Sequence, residues 1–190
     1  MHRLSLAGRR LGAGLLLALS VGCGADLGEC DDALARTVVY DDEGLPAYEG
    51  QAMVRLSCGS SAFCHAATAE GVGRFGAPAG LDFDMTPVDP GFGALEPQRE
   101  RLDAGRQAIL DHIDAAYLLV ESGEMPPFGE QTLGLFDRVP RYTDDAGERI
   151  PPIDSVEGIA RYRNWLACDA PVVEATSGSP TFGDVVPARP

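Results

Sequence analysis

Cys58-Gly59-Ser60-Ser61-Ala62-Phe63-Cys64-His65 is the stretch on which the reading of this chain turns. Ahead of it, Met53, Val54 and Leu56 form one apolar side of a segment from Pro46 to about Leu56. That pattern predicts a short helix leading straight into Cys58. Two thiols and an imidazole therefore stand within eight residues, and sulfur beside ring nitrogen is a donor set suited to a metal or a covalently held cofactor. Beyond Cys23 the chain has two further cysteines, Cys30 and Cys168. In an exported chain, an even count of four such cysteines reads first as two disulfides, with three possible pairings.

The Cys64-His65 adjacency is the second half of the C-x-x-C-H haem-attachment motif. The chemistry requires it: the thiol forms a thioether to a haem vinyl group, and the next residue places its imidazole beneath the iron. The spacing departs from the motif. Five residues separate Cys58 from Cys64 where two are expected, and Ser61 stands where the first cysteine belongs. A distal ligand has to come from elsewhere, and Met125 in Ser122-Gly123-Glu124-Met125-Pro126-Pro127 is the candidate, since Met/His ligation is an electron-transfer pattern.

Residues 66–97 are rich in Gly and Pro and show no period, which is long for a structureless stretch unless it wraps something. From about 97 to 121, Arg106, Ile109, Ile113, Ala116, Tyr117 and Val120 recur at helical spacing, and Ser122-Gly123 stops the helix. Residues 124–153 are again irregular. A last helix is expected from about Ser155 to Ala167, with Asp154 and Glu157 as a capping box and Ile159, Tyr162, Trp165 and Leu166 as its apolar face. The tail from 172 to 190 is expected to be disordered. Between Gly44 and Ala170 only 28 of 127 residues are Leu, Ile, Val or Phe, so the core is thin and wants a staple or a large apolar cofactor.

The 190-residue chain carries 15 basic residues, all of them Arg, against 29 acids, for a net charge of −14. Such a balance excludes nucleic acid as a partner, because phosphate binding needs cationic surface. Arg3, Arg9 and Arg10, followed by the apolar run Leu11 to Val21, form an export leader, too short to span a bilayer. Losing residues 1–22 removes three Arg and no acid, for a net charge of −17. Ser20-Val21-Gly22-Cys23 resembles the lipobox of bacterial lipoproteins, with Ser20 where Leu is preferred. The resemblance implies a lipid on Cys23 and a periplasmic or outer-membrane location; ordinary cleavage with a free Cys23 thiol is the alternative.

The order helix, Cys-His, long loop, helix, Met-Pro-Pro, terminal helix with Trp165 resembles class I cytochrome c, and in particular the cytochrome c-like lipoproteins of bacteria. The likeness spans about residues 46–171, carried by Ser57 to His65, Gly80 to Phe83, Glu124 to Pro127 and Asn164 to Pro171. It implies an all-α fold, a small cytochrome c-like domain over 44–171 of three or more short helices with long Gly/Pro-rich loops. An acidic segment, 23–43, precedes it. It implies a one-electron carrier rather than an enzyme, holding haem c through Cys64 and Cys58, with His65 proximal and Met125 distal. Redox partners of basic surface would suit its charge. Three states of the thiols stay open: both joined to haem, Cys64 alone joined, or a Cys58–Cys64 disulfide without haem. Cys30 and Cys168 would pair in the first and third. The rival function is a haem-free, disulfide-stapled lipoprotein that uses the same shape for binding or structure. His112 is a minor candidate for the distal ligand. Cys58, Cys64, His65 and Cys168 form a weak zinc set, and Asp82, Asp84 and Asp89 a weak calcium set.

Overall fold

The structure, a computed structural model, describes residues 24–59, 64–89, 91–125, 141–175 and 183–189. The expected leader, Cys23, Ser61, Pro126 and Pro127 lie outside the described residues.

The chain enters through one helical turn, α1 (Asp32–Ala35), capped by the Asp31 carboxylate, which accepts from the Leu34 N–H. Strands β1 (Val38–Tyr40) and β2 (Pro46–Tyr48) then form an antiparallel hairpin with Val39 opposite Ala47. The Asp41 carboxylate closes its turn by accepting from the Glu43 and Leu45 N–H groups at 3.1 and 2.8 Å. Helix α2 (Glu49–Ser57) starts directly from β2. The helix expected from Pro46 thus gives its first three residues to the strand, because Val38 and Val39 supply a β-branched partner for them.

The long helix expected over 97–121 is two helices, α3 (Leu95–Asp111) and α4 (Ile113–Glu121), broken at His112. There the backbone N–H of His112 donates to Ile109 instead of Ala108, and the ring Nδ1–H takes over the Ala108 carbonyl at 2.9 Å. The apolar stripe survives the break, with Ile109, Tyr117 and Val120 all buried. Helix α5 (Val156–Ala167) is capped by Ser155, whose hydroxyl accepts from the Gly158 N–H at 2.9 Å. Asp154 is not the cap, and Glu157 pairs with Arg161 rather than turning back to complete a box.

Helices α2 and α5 cross at Gly50, where a Cβ would stand 2.2 Å from Trp165 Cγ. Only glycine allows this approach. The crossing is framed by the buried Glu49, whose carboxylate accepts from Arg161. A disulfide joins Cys30 to Cys168 at the end of α5, and the Asn164 amide exchanges two hydrogen bonds with the Asp31 backbone beside it.

The expectation of an all-α fold is corrected. Among the described residues, five helices share the molecule with two two-stranded sheets, so its content is mixed α/β. The second sheet pairs β3 (Val173–Ala175) in parallel with β4 (Asp184–Val186), inside the tail expected to lack structure. Polar side chains dock that tail. The buried Gln51 amide accepts from the Val173 N–H at 2.8 Å and donates to its carbonyl, and Tyr48 donates to Asp184 at 2.7 Å. Arg189 stacks 4.5 Å over Tyr40.

The Gly/Pro-rich stretch contributes one 3-10 turn (Gly71–Arg74), then sends Phe83, Met85 and Val88 into the core. There they join Met53, Val54, Leu102, Tyr162, Trp165 and Leu166. A smaller cluster of Val39, Ala47, Ala52 and Tyr142 lies under the hairpin. Among the described residues, no helix is long and apolar enough to cross a membrane.

Candidate functional site

Several pieces of chain meet around one cleft of about 80 Å³, partly open to solvent. The end of α2 supplies Ser57 and Cys58. The residues after the 60–63 segment supply Cys64 and His65, and the loop that follows adds Leu81 and Phe83. Helix α4 forms the facing wall with Ala115, Ala116, Leu119 and Val120, with His112 at its start. Met125 and, from α5, Tyr162 complete the lining. The walls of the cleft are mainly apolar, as small-molecule and cofactor sites require.

Helix spacing explains the α4 wall: residues 112, 115, 116, 119 and 120 lie on one stripe of the helix. Met125 is held to this wall by its N–H, which donates to Leu119 at 2.9 Å. On the other side, backbone bonds pinch the cysteine segment. The His65 N–H donates to the Cys58 carbonyl and the Cys64 N–H to Gly73, each at 2.9 Å. Cys64 takes a positive φ of 53°, a conformation that side chains seldom adopt, so the turn into His65 is held by its surroundings.

His65 is buried and oriented on two sides. Phe83 stacks on its ring at 4.3 Å between centroids, 15° from parallel, and Nδ1 lies 2.8 Å from the Leu81 carbonyl oxygen. A carbonyl only accepts, so Nδ1 carries the proton and Nε2 keeps its lone pair. Burial lowers the His65 pKa below its ordinary value; the Leu81 bond opposes this, Arg74 lowers it further and Asp82 raises it. A neutral imidazole anchored through Nδ1 is the form that ligates a metal through Nε2.

Cys58 and Cys64 are free thiols, so the alternative pair Cys58–Cys64 is not formed, whereas Cys30–Cys168 is. Burial, with a smaller contribution from Cys64, pushes the Cys58 thiol up to about 12. Burial also raises Cys64. Tyr162 lies well above its usual value, through burial and then the neighbouring Cys58. Its hydroxyl donates to the Ala116 carbonyl at 3.3 Å. The Ser57 hydroxyl oxygen is buried in the lining without a hydrogen-bond partner. Such an orphan fits a cleft whose occupant carries polar atoms.

The structure therefore brings together Cys58, Cys64, His65, Met125 and the minor candidate His112. It does not assemble the other sets. Cys168 is spent in its disulfide and cannot join a zinc site. Asp82 pairs with Arg74, Asp84 accepts from the Ala67 N–H, and Asp89 accepts from the Gly91 N–H. Among the described residues no group of three or more Cys, His, Asp or Glu is arranged to hold a metal ion. Sequence reasoning missed Ser57, Tyr162 and the α4 wall as lining. The 112/115/116/119/120 stripe was a readable signal, hidden because it lies beside the core stripe on the same helix. Comparison with protein-family models, with curated proteins and with solved structures finds no match to this chain.

Proposed function

We propose that this protein is an exported, lipid-anchored one-electron carrier that holds a c-type haem in the cleft between Cys58, Cys64, His65 and Met125. One observation carries the reading: two free thiols, an imidazole with its Nδ1 already bonded to a backbone carbonyl, and a thioether all line the same apolar cleft. The residues fit the group. Cys58 and Cys64 would hold it covalently, each S–H adding across a vinyl double bond with no leaving group. His65 would hold the iron through Nε2 and Met125 through its sulfur, and Ser57 would supply a hydroxyl in the lining. Haem, when bound, supplies the reversible one-electron iron couple.

The chain's own residues do the rest. Leu81 and Phe83 fix the imidazole plane, the α4 wall and Tyr162 exclude water, and their low polarity shapes the cost of changing charge inside. A lipid on Cys23 would keep the carrier at a membrane surface, and its acidic exterior favours brief, charge-steered encounters with basic redox partners. The five-residue spacing between the thiols favours the rival, a haem-free lipoprotein stapled by disulfides.

Intact mass and an absorption spectrum, on protein exported from a host with haem-attachment machinery, separate the two. A gain of about 616 Da with a sharp reduced α-band is expected. His65→Ala and Met125→Ala should then each change the ligation spectrum. A colourless protein without the mass gain overturns the proposal.

A further inference from the structure

Arg74 ends the 3-10 turn after the cysteine segment, and its guanidinium turns back into the loop that follows. Nε donates to the Ala77 carbonyl at 3.1 Å. Nη1 donates to Ala69 at 3.3 Å and to the Asp82 carboxylate at 3.0 Å. Nη2 donates to the Pro78 carbonyl and, at 3.2 Å, to Leu81. A guanidinium has five N–H donors, and here all five are spent, four of them on backbone carbonyls. The side chain is only 12% exposed. Such a set fixes a loop that has no regular structure of its own.

The Leu81 oxygen is also the acceptor for the His65 Nδ1–H at 2.8 Å. One carbonyl with two lone pairs thus serves both groups. We propose that Arg74 is the positioning residue for His65: it fixes the Leu81 carbonyl where only an Nδ1–H ring can meet it, and by competing for that oxygen it limits how strongly Nε2 can donate to an axially bound iron. The electronic half of this inference rests on the haem reading; the positioning half does not.

The direction follows from hydrogen-bond chemistry. A carbonyl already polarised by a guanidinium is a poorer acceptor, so the Nδ1–H keeps more of its proton and the imidazole is a weaker donor. A weaker donor stabilises ferric iron less and raises the reduction potential. The nearby positive charge acts with the same sign, but the Asp82 carboxylate beside it offsets most of that effect. Lysine keeps the charge and cannot reproduce a five-donor fork, so Arg74→Lys separates charge from positioning.

The test uses the mature chain in two forms. In the haem-free protein, at a pH where the ring is neutral, ¹⁵N–¹H correlation of the His65 imidazole reads its tautomer. The expected result is Nδ1–H in the parent, and a mixture of tautomers in Arg74→Gln and Arg74→Lys. With haem bound, Nε2 would be taken by the iron and Nδ1 would keep its proton. The Leu81 carbonyl freed of Arg74 then accepts more strongly, and the equilibrium constant for reduction should fall about tenfold in Arg74→Gln, which is about 59 mV for one electron. Arg74→Lys should recover less than half of it. An Nε2–H ring in the parent, or full recovery of the potential by lysine, overturns the inference. A chain that takes up no haem fails the carrier reading instead, and the tautomer measurement still decides the role of Arg74.

Discussion

Replacing both Cys30 and Cys168 by Ser opens a bridge between residues 138 positions apart, whose Cα atoms lie 5.0 Å from one another. In the chain-entropy account, closing a loop of that length in the unfolded state is worth about 5 kcal/mol. Removal of native bridges costs about 2–5 kcal/mol in practice, against a total stability of about 5–15 kcal/mol for an ordinary domain. The Asn164 amide still grips the Asp31 backbone in the variant, so part of the entry segment stays docked. The expected loss is therefore about 3–4 kcal/mol. Urea unfolding of the mature chain reads this directly. With a slope of about 2 kcal/mol/M, the midpoint should fall by about 1.5–2 M, with a somewhat steeper slope because the unbridged denatured chain exposes more surface. On the proposed haem reading, uptake of the cofactor should persist, because neither cysteine lines the cleft. A loss below about 1 kcal/mol would refute the view that this bridge compensates for a thin core.

The two remaining thiols should differ in reactivity. With Cys58 pushed up to about 12, its thiolate fraction at pH 8 is about a thousandfold below that of an ordinary thiol, so iodoacetamide should label Cys64 first in the folded haem-free protein. Equal labelling would contradict the raised pKa of Cys58. Gly50→Ala should destabilise by about 1–3 kcal/mol in the same urea assay, because its methyl carbon would meet Trp165 at 2.2 Å. Glu49→Ala removes the buried acceptor of Arg161, which is 32% exposed and keeps Glu157, and should cost about 1–2 kcal/mol, with Glu49→Gln costing less. The pH dependence follows from His65, whose folded pKa lies below the ordinary 6.5. Between those two values the unfolded chain binds more protons, so this contribution is fully present above about 6.5 and is lost as pH falls through the window. His65→Gln should flatten the stability profile of the haem-free protein there; an unchanged profile would show that another group sets it.

Periodicity revealed the helical faces well, since Ile109, Tyr117 and Val120, and Tyr162, Trp165 and Leu166, are all buried where their spacing put them. It could not show the break at His112, which depends on a ring nitrogen replacing a backbone donor at Ala108. Nor could it show the ordered tail. Nothing about Val173 or Asp184 alone signals docking; the partners are Gln51 and Tyr48, more than 120 residues away. The site was legible in its chemistry, as Cys58, Cys64, His65 and Met125 do line one cleft. Its support was not: Leu81 lay in a stretch without period, and the guanidinium that organises that stretch read as one Arg among fifteen.

The first described residues already lie on the folded body. The Ala25 N–H donates to the Asp114 carboxylate at 2.8 Å, in the first turn of α4. On the proposed anchor at Cys23, the leash between lipid and protein is thus two residues long, about 7 Å at full stretch. A carrier on so short a leash is less a swimmer than a buoy: the start of α4, next to His112 and Ala115 of the cleft wall, rides at the waterline. Partners would then have to reach the cleft sideways along the membrane plane.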